Sequence, residues 1–263
     1  MDSPDTPTVP PIIDDSATAP PQPEISIVRD GILSFIVSVS LTLLLVAFIV
    51  VAGILSGNMP VNPPEGFSIT PSMMIPLLVV AELPFAAVGL VLRWMYRRSG
   101  RLLPSLGAPQ FSAVMKGIGA GLAMSAFGFL HAALASTLFG RASTEAMEEL
   151  MRSLLSLQGN PATVATLVLS IAVLAPLCEE FFFRGAIFSS VRSTQKAWAG
   201  AIVSSVLFAV AHGNPMMFTY YLVFALAMCW LLSKTGTIAT PIAAHMTVNT
   251  IACVAVLLSG SVE

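Results

Sequence analysis

Charge is scarce in this chain. Asp, Glu, Lys and Arg together supply 10% of its 263 residues, against about 25% in an average soluble domain. The charges sum to −2, so no basic excess is left over for nucleic acid. Cysteine is scarcer still. Cys178, Cys229 and Cys253 fall in apolar segments and never in a Cys-x-x-Cys spacing, which excludes a disulfide framework and a cysteine zinc site. Cys178, beside Glu179, reads as a small buried hydrophobe rather than a nucleophile. There is no His-Glu-x-x-His and no internal repeat. The first basic residue is Arg29, so the acidic, Pro-rich stretch 1–27 lacks the positive n-region of a signal peptide. It has too little apolar content to fold and is expected to be a disordered tail.

What is present is hydrocarbon. Hydrophobic residues make up 56% of the chain and mean hydropathy is +0.85. These values predict an all-α, polytopic membrane bundle of about seven transmembrane helices. The expected spans are 31–55, 71–92, 117–139, 162–192, 198–211, 216–232 and 238–258. Between the third and fourth, 141–159 spaces apolar residues helically among Glu145, Glu148, Glu149 and Arg152, as an amphipathic interfacial helix does. Residues 28–263 thus form one membrane domain, whose half 162–258 carries the polar motifs.

Orientation follows from the basic residues. With the N-terminus cytoplasmic, Arg29, Arg93, Arg97, Arg98, Arg101, Lys116, Arg192, Lys196 and Lys234 lie inside, and only Arg141 and Arg152 outside. That asymmetry predicts a multi-pass cell-membrane protein with its C-terminus outside.

Within the fourth span sits Leu-Cys-Glu-Glu-Phe-Phe-Phe-Arg-Gly, residues 177–185. Each ion at mid-helix costs about 2.5–3.5 kcal/mol on insertion scales, so such a cluster is read as functional. Glu180 and Arg184 are spaced i,i+4 with the acid first, the favourable order for a pair. Glu179 points about 100° away and is left free. Two later spans carry matching polar pairs, Phe208 with His212 and His245 with Asn249. Glu179 lies 16 residues before Gln195 and His212 lies 17 after it, so both sit about 25 Å from that turn if the helices are antiparallel. The depth arithmetic pairs Glu179 with His212 and fits His245 less well. Glu82, just before Pro84, either lines the site or pairs within the bundle. His131 is expected to be a buried neutral histidine satisfied by a carbonyl.

Glu179-Glu180-x-x-x-Arg184, then Phe208-x-x-x-His212, then His245-x-x-x-Asn249 resembles the CPBP intramembrane protease family, which includes CAAX prenyl endopeptidases and bacteriocin-processing enzymes. The resemblance implies hydrolysis of a peptide bond in a membrane-embedded or lipidated peptide. Such chemistry needs an activated water and donors for an oxyanion. Glu179 and His212 would activate the water, and His245 and Asn249 would hold the oxyanion. Glu180, Arg184 and Phe208 would support them from behind. Alternatively, Glu179, His212 and His245 would ligate zinc with a fourth position open; metal-free chemistry is the preferred reading. Two other functions remain open: a non-proteolytic immunity or scaffold protein, and a proton-coupled transporter. Repeated halves would mark the transporter, and none are seen.

Overall fold

The computed structural model describes residues 24–61, 71–98, 106–140, 161–192 and 196–259. The predicted tail up to residue 23, the interfacial helix at 141–159, and Arg101, Arg141 and Arg152 lie outside the described residues. The described chain is a polytopic helical bundle with no strand.

Seven helices account for it: α1 (Glu24–Leu55), α2 (Pro71–Arg98), α3 (Phe111–Phe139), α4 (Pro161–Arg192), α5 (Ala197–Ala211), α6 (Phe218–Thr235) and α7 (Ala239–Ser259). Six are long and apolar enough to cross a membrane; α5, the exception, has 15 residues. At 1.5 Å per residue α5 reaches only about 22 Å, short of the ~30 Å hydrocarbon core. Gly213, with φ +60, and Pro215 follow it directly, and a short 3-10 turn, Pro215–Met217, leads into α6. Asn214 caps that turn, its Oδ1 accepting from the Met216 and Met217 amides at 3.1 and 3.2 Å.

Three boundaries depart from expectation. Helix α1 starts at Glu24, inside the stretch assigned to the tail, and α3 begins at Phe111 rather than 117. Helix α2 continues to Arg98, so Arg93, Arg97 and Arg98 are helical, beyond the expected end of the span at 92. Arginine is a good helix former, and cations are favoured at a helix C-terminus. Pro76 and Pro84 lie within α2, and the Thr42 hydroxyl donates to the Ala81 carbonyl beside Pro84 at 3.3 Å.

The packing is inside-out by the standards of water. Leu43, Leu44 and Phe48 of α1 are exposed, whereas Phe182, Phe183, Ile187, Phe208, Phe224 and Met228 form a buried cluster. The most extensive helix pair is α3 with α7. At Gly117 and Gly121 a Cβ would run into the Thr240 and Ala244 carbonyl oxygens of α7. Small residues are what allow membrane helices to approach so closely.

Helix α4 is not a regular α-helix. Two stretches, Ser170–Leu174 and Phe181–Phe188, are π-helical. Widened turns misalign carbonyls from the helix ladder, and side chains take several of them. Asn249 donates to Ile171 O (2.9 Å), Ser204 to Phe183 O (2.8 Å) and Ser189 to Arg184 O (2.8 Å), while Arg93 donates to Gly185 O. The helix bearing the acid cluster is thus tied to α2, α5 and α7 through its own backbone.

Candidate active site

The acid cluster occupies the junction of a short α-turn, Ala175–Glu180, and the second π stretch of α4. Glu180 and Arg184 are both fully buried and form the i,i+4 pair at 3.0 Å. Arg184 also donates through Nη2 to the Ala225 carbonyl of α6 at 3.3 Å, and its guanidinium stacks 4.5 Å from the Phe208 ring centroid. The pair fastens α4 to α6. Removing two ions from water costs several kcal/mol each, so each must be met by such contacts.

Glu180 has a second partner that the helical spacing did not indicate. Its Oε1 lies 2.9 Å from His245 Nδ1. A carboxylate accepts, so Nδ1 carries the hydrogen and Nε2 points away from Glu180. That Nε2 stands 4.0 Å from Glu179 Oε2. The Phe224 ring meets His245 edge-on at 4.9 Å, which limits how the imidazole can turn. Glu179 Oε2 and Glu180 Oε2 are buried and lack a hydrogen-bond partner among the described residues. The imidazole within 4.0 Å of Glu179 is thus on α7, whereas depth arithmetic pointed to His212 on α5. Counting residues assumed two straight α-helices, and the π stretches alter both rise and facing direction along α4.

His212 follows the last residue of α5. Its Nδ1 lies 2.9 Å from the Phe208 carbonyl; a carbonyl only accepts, so Nδ1 is protonated and Nε2 carries the lone pair. The ring packs 4.5 Å from Phe208 and 4.0 Å from Tyr221 of α6. Phe208 also lies 5.9 Å from His245, so one buried ring lines both imidazoles and the Arg184 guanidinium. Asn249 is placed differently from its expected use. Its amide nitrogen is bonded to Ile171 O in the first π stretch, which ties α7 to α4.

Two further residues belong to the surroundings. Glu82 of α2 interacts electrostatically with Glu179 and Cys178, and its Oε2 is buried without a partner among the described residues. Its helix, α2, packs against the Ala175–Glu180 turn. Tyr221, which sequence reasoning passed over, is in electrostatic range of Glu179 as well as stacked on His212. The signal available was a tyrosine pair, Tyr220 and Tyr221, shortly after the Gly213-Asn214-Pro215 break. His131 lies apart, 6.1 Å from Phe127 and 6.2 Å from Tyr220, and its Nδ1 has no partner among the described residues. No carbonyl among the described residues meets that nitrogen.

Zinc holds imidazole nitrogens at about 2.0–2.1 Å and carboxylate oxygens at about 2.0–2.2 Å. Among the described residues no three His, Cys, Asp or Glu side chains converge as such a ligand set.

Comparison with known proteins places these residues in a family context. Residues 161–251 match the family model described as type II CAAX prenyl endopeptidase Rce1-like. Over 124 residues the chain is 32% identical to the "Uncharacterized 24.3 kDa protein" of Escherichia coli, covering 43% of this chain and 54% of that protein. Over 87 residues it is 26% identical to the "Putative membrane peptidase YdiL" of Bacillus subtilis (strain 168), covering 33% of this chain and 36% of the relative. The chain thus spans about half or less of the curated relatives it matches. No solved structure matches it. The matched stretch contains all three polar motifs, and the class of activity it implies is intramembrane proteolysis. The likeness to the Rce1-like, type II CAAX prenyl endopeptidase family is therefore carried by residues 161–251.

Proposed function

We propose that this protein is an intramembrane endopeptidase that hydrolyses a peptide bond in a membrane-embedded or lipidated peptide without a metal ion. The observation that carries the reading is His245, held by Glu180 at 2.9 Å and facing Glu179 across 4.0 Å. That second gap leaves Glu179 and His245 close enough to act on one small group between them. The Glu179 carboxylate takes a proton from water as the water oxygen bonds to the scissile carbonyl carbon. The carbonyl π electrons move onto oxygen, and the resulting oxyanion accepts a hydrogen bond from Nε2 of His245 in its imidazolium form, in which both ring nitrogens donate and the charge faces the Glu180 carboxylate. Collapse expels the amine, which leaves with the proton held by Glu179. A positioned base of this kind contributes about 10²–10⁴-fold.

His212 fits the water rather than the oxyanion, because its Nε2 accepts while Nδ1 is engaged at the Phe208 carbonyl. Asn249, with its amide on Ile171 O, fits a positioning role better than oxyanion donation. Glu180 and Arg184 hold His245 and α4 in place. The basic residues favour a cytoplasmic N-terminus and an external C-terminus.

The test is cleavage of a membrane-anchored peptide by Glu179→Ala, His212→Ala and His245→Ala variants that still insert and fold. Loss in all three is expected, with wild-type activity unchanged by a metal chelator. Full biological activity in Glu179→Ala would point instead to a scaffold or immunity role. Stoichiometric zinc lost together with activity would overturn the metal-free chemistry.

A further inference from the structure

The end of α2 borders a cavity of about 600 Å³ that peptide hydrolysis does not use. Arg93, Trp94 and Arg97 line one side, Leu106 and Gly107 another, and Phe181 of α4 the floor. None of the described lining residues is acidic. Arg93 and Arg97 stand one turn apart on the same helix face, an arrangement in which like charges repel. Arg93 is buried and donates to the Gly185 carbonyl. Arg97 is exposed and forms no ion pair among the described residues.

The opposite wall is fixed. Ile238 donates its amide to the Leu106 carbonyl at 2.8 Å, and Gly107 adopts φ +67 where a Cβ would strike the Gly236 carbonyl. On the outer side, Trp94 is 55% exposed and Leu90 59% exposed, so the cavity runs into the apolar flank of α2. A guanidinium pair matches phosphate oxygens, and an indole beside it suits the membrane–water boundary.

We propose that this cavity binds the phosphate headgroup of an anionic phospholipid, with Arg97 as its principal ligand, Arg93 behind it, and an acyl chain lying along Leu90. The open lateral flank along the exposed Leu90 side chain suits an acyl chain. The inference is independent of the proposed hydrolysis. It also places a lipid against Phe181, the residue that follows Glu180, on the helix that carries the acid cluster.

Native mass spectrometry of the full chain, released from nanodiscs of phosphatidylcholine with or without phosphatidylglycerol, tests this. The wild type is expected to retain phosphatidylglycerol in preference to phosphatidylcholine. Arg97→Gln should lower that occupancy about fivefold, and Arg97→Lys, which keeps the charge but not the planar fork, should fall between them. Because Arg97 is exposed, the thermal midpoint of Arg97→Gln should match the wild type. Equal retention of the two lipids by the wild type, or unchanged occupancy in Arg97→Gln, would overturn the proposal. Retention of an apolar peptide acid that is lost on amidation, with no lipid preference, would assign the cavity to peptide instead.

Discussion

Helices α1 and α4 are both apolar enough to span a membrane, and they do opposite things with that property. In α1, Leu43, Leu44 and Phe48 are exposed by 63%, 68% and 71%; these side chains face lipid. In α4, Phe182, Phe183 and Phe188 are at most 1% exposed, and so are Glu180 and Arg184. Hydropathy alone therefore cannot tell a helix that faces hydrocarbon from one that is enclosed by other helices. The polar content does. A lipid-facing helix must satisfy every backbone group internally, whereas an enclosed helix can open π turns and give carbonyls to neighbours. Helix α4 does this at Ile171, Phe183 and Gly185.

Substitutions that break this contrast should differ in size. Arg184→Ala leaves Glu180 buried without its guanidinium and should cost about 3–5 kcal/mol, read as a lowered unfolding midpoint in detergent. Gly121→Leu forces a side chain against the Ala244 carbonyl and Thr247 and should cost about 1–3 kcal/mol, visible in the same assay. Ser204→Ala orphans the Phe183 carbonyl in the π stretch, with an expected loss of about 1 kcal/mol. Leu44→Ala on α1 should fall within about 0.5 kcal/mol of the wild type, since no protein cavity is created. If Leu44→Ala proved as costly as Ser204→Ala, the lipid-facing assignment of α1 would fail.

Much of this contrast was legible in the residues. The Glu180–Arg184 spacing forecast an ion pair, and it is formed at 3.0 Å. Six of the seven apolar stretches are long enough to cross a membrane, while Gly213 and Pro215 end α5 early. Other features depended on residues far apart in the chain. The π turns of α4 owe their carbonyl partners to Asn249, Ser204 and Arg93 on other helices, and no local propensity announces them. Because they turn the helix, Glu179 comes within 4.0 Å of His245. Glu180 looked spoken for by Arg184, yet one oxygen accepts from both Arg184 and His245. Glu82 and Tyr221 reach the same neighbourhood only through the packing of α2 and α6 around α4.

The most direct measurement compares Glu179→Gln with Leu44→Ala, each reconstituted as the full chain in vesicles with a membrane-anchored peptide. The account predicts a loss of cleavage of about 10²–10⁴-fold in Glu179→Gln and wild-type cleavage in Leu44→Ala. Cleavage by a folded Glu179→Gln protein at the wild-type rate would contradict it.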